Sequence, residues 1–150
     1  VASVMGFLLG CLLGGLAGTF RGSWIDRAAV GIAVAGVSVP HYWLGMVMVV
    51  IFSVQLNWLP AMGAGPGGSG DWSWDWEHMQ HLVLPAVTLA VIPMGIVTRT
   101  VRGIIAEIMS QEFVTALRGK GLTRGRIFVH VVKNAAPNAL AVMGPTLIHI

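Results

Sequence analysis

Long stretches without a charged side chain dominate this sequence. Residues 1–20 form one such stretch, residues 28–56 form a longer one, and residues 82–98 and 135–150 form two more. A helix needs roughly 20 apolar residues to cross the hydrocarbon core of a bilayer. We therefore predict membrane spans over about residues 1–20, 28–56, 82–106 and 135–150, the second tilted or kinked and the last cut off by the end of the chain.

The scarcity of charge excludes most other classes of protein. Only 10% of the residues are charged, against about 25% in an ordinary soluble domain. The net charge of +3 rests on nine basic and six acidic side chains, so no dense basic face for nucleic acid is expected. The chain has no initial Met and ends in an apolar stretch, and we expect a fragment of a longer membrane protein.

The positions of Lys and Arg predict the orientation. All nine lie between the first and second stretches or between the third and fourth, and none lies in the loop at 57–81. That loop contains three acidic residues and four tryptophans instead. Basic loops remain in the cytoplasm and tryptophans favour the membrane interface. The loop at 57–81 is therefore predicted to be external, and the segment at 107–134 cytoplasmic.

Glycine recurs at every fourth position of the first stretch, at Gly6, Gly10, Gly14 and Gly18. On a helix these residues share one face and allow another backbone to approach closely. The pattern predicts tight helix packing, or else close approach to a substrate, without identifying the partner.

The segment at 107–134 reads as two amphipathic helices separated by glycines. Apolar residues at helical spacing predict a first helix continuous with the third span through Leu117, and a second over residues 122–132. Gly119 and Gly121 separate the two. Such a basic unit either satisfies the positive-inside bias, lies on anionic lipid, or docks a cytoplasmic partner.

Residues 112–122 read EFVTALRGKGL, and an aliphatic residue, Val131, follows Gly121 by ten positions. This pattern resembles the EAA loop of ABC importer permeases, in the form found in the dipeptide, oligopeptide and nickel branch. The resemblance continues in RGSWIDR at 21–27, SVPHYWLG at 38–45, NWLP at 57–60 and HLVLPA at 81–86.

The resemblance implies an all-α, polytopic transmembrane helical bundle of the type I ABC importer permease kind, with a cytoplasmic helix–turn–helix coupling loop. It implies transport of di- or oligopeptides across the bacterial inner membrane. The implied partners are a second permease subunit, two cytoplasmic ATPase subunits and an extracytoplasmic substrate-binding protein. The first span and the C-terminal helix of the family are expected to be missing from this chain.

The resemblance also implies which residues couple the chain to an ATPase. Small residues would allow close approach and a sharp turn, cations would pair with acidic groups, and apolar side chains would anchor the contact. These candidates are Glu112, Phe113, Thr115, Ala116, Arg118, Lys120, Gly121 and Leu122.

No catalytic chemistry is expected from the chain itself. The string Gly119-Lys120-Gly121 lacks the Ser or Thr and the earlier glycine of a P-loop, and no nucleophile–base set is apparent. We expect no cofactor, and ATP hydrolysis is expected to reside on partner chains.

Two further groups of polar residues allow a functional or a structural interpretation. Ser38 and His41 flank Pro40 within the second stretch, where Pro should kink a helix. Polar groups at membrane depth either line a pathway or hydrogen-bond between helices. His78 and His81 could share a helix face as metal ligands, although a wet interfacial pair is favoured and no metal site is predicted.

Three alternatives remain open on the sequence. One is a nickel or glutathione permease of the same branch. Another is a structural or lipid-docked membrane subunit that transports nothing. A membrane-embedded enzyme ranks third because no catalytic cluster is found.

Overall fold

The computed structural model describes the backbone of residues 1–148 and the side chains of residues 1–123, 125–141 and 144. The described chain is helical, without strands. Its α-helices are α1 (Ala2–Thr19), α2 (Trp24–Ser38), α3 (His41–Met48), α4 (Trp76–Met109), α5 (Glu112–Gly119) and α6 (Arg124–Ile148). A π-helical stretch, Val49–Gln55, continues α3, and a short 3-10 turn occupies Gly68–Asp71. The last two residues of the predicted fourth span lie outside the described residues.

Helices α1 and α4 form the tightest contact of the fold. A Cβ built on Gly6 would lie 2.6 Å from the Ala90 carbonyl oxygen, and one on Gly18 would lie 2.8 Å from the Ile105 Cβ. The glycine nearest the start of α1 thus contacts the earlier part of α4, and the glycine nearest its end contacts the later part. The two helices therefore run in the same direction. The absence of side chains at these positions is what permits this approach.

Helix α2 packs against α4 in the opposite direction. A Cβ on Gly36 would lie 2.7 Å from the Val91 Cγ1, and one on Gly95 would lie 2.7 Å from the Ala33 carbonyl oxygen. The side chain of Ser23 caps α2 by accepting a hydrogen bond from the Asp26 N–H at 3.3 Å. This cap explains why α2 begins before residue 28, the start predicted for the second span.

The second apolar stretch is divided at Pro40. Helix α2 ends at Ser38, Val39 is extended, and the helix that follows is turned by 101°. Proline lacks an N–H and forces the preceding residue out of the α region, so a break here has a direct cause. The bend is sharp enough that residues 28–56 are two helical pieces, where the sequence predicted one tilted or kinked span.

Helix α4 continues through both of its prolines. It begins at Trp76, ends at Met109 and includes Pro85 and Pro93. Pro93 is buried, and its Cγ would lie 2.8 Å from a Cβ built on Gly6. Membrane helices tolerate proline when neighbouring groups compensate for the lost hydrogen bond.

The helix boundaries predicted for residues 107–134 are wrong at two places. The first helix does not continue through Leu117, because α4 ends at Met109 and α5 begins at Glu112. The Ser110 hydroxyl and N–H both donate to the Glu107 carbonyl oxygen, which ends α4. The predicted helix 122–132 and the predicted span 135–150 are one continuous helix, α6, over the described residues.

Two helices, α1 and α4, are long and apolar enough to cross a membrane, and the bent pair formed by α2 and the helix after Pro40 would make a third if it is one broken span. The apolar core joins α4 to α5 and α6. It contains Val97, Val101, Ile105, Ile108, Val114, Ile127, Val131 and Ala135.

Candidate functional site

The segment that links α4 to α6 contains the predicted coupling residues, and we refer to residues 107–134 as the elbow. Its short helix α5 is anchored from one side only. Val114 of α5 is fully buried among residues of α4 and α6, including Ile108 and Val131. Burial of apolar side chains on this face fixes the position of α5 beneath the bundle.

A glycine-dependent turn ends α5. Gly121 has a φ of 75°, a left-handed conformation that glycine adopts without a steric penalty. The Gly121 N–H donates to the Arg118 carbonyl oxygen at 2.9 Å, and the Leu122 N–H donates to the Leu117 carbonyl oxygen at 3.2 Å. This pair of bonds is a Schellman motif. Gly121 therefore fixes the angle at which the chain turns from α5 into α6.

The outer surface of α5 is exposed within the described chain. The exposed residues on this surface are Glu112, Thr115, Ala116, Arg118, Gly119 and Lys120. They carry one acidic and two basic side chains around small residues. Such a short helix presents a mixed-charge surface with room for close approach by a partner.

Two of the predicted coupling residues lie elsewhere. Phe113 and Leu122 are half-buried and pack against the chain's own core, where the sequence suggested apolar anchors for a partner. Their apolar surface is thus largely used to hold α5 and the turn in place.

A cavity of about 490 Å³ lies between the elbow and the end of α1. It cannot be predicted from the sequence pattern because it forms between segments far apart in the chain. It is lined by Thr19, Phe20, Met109, Arg118, Leu122, Ile127 and Phe128.

An ion pair with a buried carboxylate, which no sequence pattern predicted, joins α2 to α4. The Arg102 Nε donates to the Asp26 Oδ1 at 2.5 Å, and an Arg102 terminal nitrogen donates to the Asp26 Oδ2 at 2.8 Å. Asp26 is only 4% exposed. The available signal was that Asp26 is the one acidic residue before Asp71, in a chain where charge is scarce.

The predicted pathway residues lie together at the bend after α2, away from the elbow. Ser38, Pro40 and His41 are exposed within the described chain. The Ser38 hydroxyl donates to the Val34 carbonyl oxygen at 2.8 Å, so its polar group is satisfied within its own helix.

The two histidines in the first turns of α4 contact carbonyl groups of the loop that precedes this helix. The His78 Nε2 lies 3.2 Å from the Pro66 carbonyl oxygen, and the His81 Nδ1 lies 3.0 Å from that of Met62. Within the described part of the chain, no group of three or more His, Cys, Asp or Glu side chains is placed to hold a metal ion.

Asp75 caps the N-terminus of α4 beside His78. It accepts hydrogen bonds from the Ser73 hydroxyl, from the His78 N–H at 2.9 Å and from the His78 ring at 2.5 Å between Nδ1 and Oδ1. These bonds lower the pKa of Asp75 to about 2. The carboxylate is therefore ionised at any ordinary pH, as a capping group at a helix N-terminus should be.

The sequence is similar to a protein family and to several curated proteins. Residues 6–150 match the family described as "Binding-protein-dependent transport system inner membrane component". The chain is 31% identical to the di/tripeptide transport system permease protein DppB of Pseudomonas aeruginosa (strain UCBPP-PA14), over 90% of this chain and 45% of the relative.

Two further relatives have similar names. A putative peptide transport system permease protein of Brucella abortus (strain 2308) is 34% identical over 91% of this chain and 42% of its own length. The dipeptide transport system permease protein DppB of Escherichia coli (strain K12) is 31% identical over 95% of this chain and 48% of its own length. The chain spans about half the length of the curated relatives it matches.

Proposed function

Because the chain belongs to the family of binding-protein-dependent transport system inner membrane components, we propose that it is the membrane part of an ATP-driven importer of di- and oligopeptides. In this proposal the elbow is the contact with separate cytoplasmic ATPase subunits. A second permease subunit completes the pathway, and an extracytoplasmic binding protein delivers the substrate.

The coupling role is supported mainly by the way in which α5 is buried on one face and exposed on the other. Its inner face is anchored by a fully buried side chain, Val114, while its outer face is exposed. A surface that is rigidly attached to a membrane helix on one side and free on the other can receive a partner and pass on its movement. The mixed charges of Glu112, Arg118 and Lys120 suit a partner groove with charges of both signs.

The proposal that the substrates are peptides is based on the names of the relatives. Each of the three relatives described above is named as a peptide, dipeptide or di/tripeptide permease. The exposed polar groups at the bend, Ser38 and His41, are the described residues that we assign to the pathway, next to the break at Pro40. The Ser38 hydroxyl is satisfied by the Val34 carbonyl oxygen, so its polarity is no evidence for a lining position. An imidazole at membrane depth is costly unless it faces water or protein, which supports a lining position for His41.

The test uses the full-length parent protein reconstituted in liposomes with its ATPase subunits and binding protein. Ala116→Trp places a bulky side chain on the exposed face of α5 without entering the core. We expect loss of ATPase binding and of ATP-dependent dipeptide uptake, with assembly of the membrane part retained. Interface centres tolerate steric clashes poorly.

The matched control is Gly103→Trp, at an α4 position where no described atom lies within 4 Å of an added Cβ. This variant should bind the ATPase and take up peptide as the parent does. Unchanged uptake by Ala116→Trp would contradict the coupling role and favour a structural subunit. Absence of uptake by the unmodified complex would contradict peptide transport itself.

A further inference from the structure

We propose that the Asp26–Arg102 ion pair is a mechanical link that makes α2 move with the end of α4, so that movement of the elbow reaches the bend at Pro40. This inference rests on the proposed function, since it concerns how an ATPase-driven movement is distributed. It assigns Asp26 and Arg102 as positioning residues, which act through helix placement without touching substrate.

The contacts of Asp26 tie three parts of the chain together. Both carboxylate oxygens receive bonds from the Arg102 guanidinium of α4. The Oδ2 also accepts the Gly22 N–H at 3.0 Å, in the turn between α1 and α2. The Asp26 N–H in turn donates to the Ser23 hydroxyl. One side chain thus holds the α1–α2 turn and the start of α2 onto α4.

The chemistry of the pair makes this link stiff. A bidentate guanidinium–carboxylate contact fixes both distance and angle, which a single hydrogen bond does not. The Asp26 side chain is 6% exposed and that of Arg102 is 31% exposed. Water therefore competes little for the carboxylate, and separating the two groups would leave a buried charge unpaired.

The pair attaches the first turn of α2 to α4 near the end of α4 that leads into the elbow. Arg102 lies about two helical turns before Met109, the last residue of α4. Asp26 lies in the first turn of α2, and Ser38 ends that helix before the break at Pro40. Further along the two helices, α2 and α4 pack closely at Gly36 and Gly95, and this packing fixes their separation without a directional polar contact.

The described chain contains one other ion pair, between Asp75 and His78. That pair lies within three residues of one helix start and joins no second helix. Asp26–Arg102 is thus the one ion pair among the described residues that connects two long helices.

The decisive variant is the double substitution Asp26→Asn with Arg102→Gln in the full-length parent complex. Each single substitution leaves one charge unpaired and should reduce the yield of assembled complex. The double variant removes both charges and keeps polar groups that can hydrogen-bond, so its assembly should recover. A merely structural role predicts that function recovers with assembly.

The link predicts a different result for the double variant. The assembled complex should hydrolyse ATP, but the number of dipeptides taken up per ATP should fall about threefold or more, a typical scale for lost coupling. Arg99→Gln, which removes an exposed cation one turn earlier on α4, should leave this ratio unchanged. A double variant with the parental ratio would overturn the inference.

A second measurement does not depend on transport. Spin labels at Ile25 on α2 and Glu107 on α4, both exposed, report the distance between the helix ends in nanodiscs. The parent should give a narrow distance distribution and the double variant a broad one. Equal distributions would refute the link whether or not the complex transports peptide, whereas absence of uptake by the parent would refute the proposed function alone.

Discussion

Two valines of α6 occupy opposite environments although they are two residues apart. Val131 is fully buried in the core that holds α5, and Val129 is 51% exposed. At helical spacing, residues two apart face different directions. The same substitution, made at each position in turn, therefore distinguishes a loss of packing at the elbow from a change in helix propensity. Only Val131 contributes to the packing, whereas both positions share the change in propensity.

We expect Val131→Ala to weaken the attachment of α5 by about 2 kcal/mol, the cost of removing two buried methyl groups. Hydrogen exchange of the α5 amides in the detergent-solubilised full-length protein should accelerate accordingly. Val129→Ala is the control and should leave exchange unchanged. Equal effects of the two variants would show that α5 is not held by this contact.

Between elements, the contact of α1 with α4 depends on the absence of side chains. A Cβ on Gly14 would lie 2.6 Å from the Thr98 carbonyl oxygen, whereas no described atom lies within 4 Å of a Cβ on Gly31 of α2. Both glycines are inside helices. The methyl group of an alanine would clash with the α4 backbone at position 14, whereas at position 31 it would contact no described atom.

Gly14→Ala should destabilise the bundle by about 1–3 kcal/mol, because the clash with backbone exceeds the gain in helix propensity. Gly31→Ala should be neutral or stabilise by up to about 1 kcal/mol. Thermal unfolding of the full-length parent in detergent compares the two. A Gly14→Ala variant as stable as Gly31→Ala would exclude close packing of α1 on α4 through this face.

On the scale of the whole molecule, the helix directions agree with the predicted orientation. Helix α1 runs parallel to α4, and α2 runs antiparallel to both, as the distribution of basic residues requires. The elbow and the loop at 57–81 consequently lie at opposite ends of α4. Which end faces the cytoplasm stays a prediction of the positive-inside rule.

Single cysteines at Ser69 and Ser110 test this orientation. Both residues are exposed, one in the loop at 57–81 and one in the elbow, and Cys11 is first replaced by Ala. In cells with a permeabilised outer membrane, a membrane-impermeant maleimide should label Ser69→Cys at once. Ser110→Cys should react only after the inner membrane is opened, and immediate labelling of both would refute the topology.

The class of fold and the family can be predicted from the amino-acid sequence alone. Charge-free stretches of spanning length and one-sided basic loops depend only on the solvent around the chain, so they can be read without tertiary contacts. The role of Gly121 as a turn residue was likewise local, since its left-handed φ serves a motif within six residues. The glycine face of α1 could be read for the same reason.

Packing between distant segments determines which helix fills that glycine face, how α5 is held and how Asp26 is paired. The partner of Asp26 lies 76 residues away, and a charge in isolation does not indicate which cation will be brought to it. The position of α5 depends on a core that assembles from three helices. Such choices are made by packing between distant segments, which local propensity does not contain.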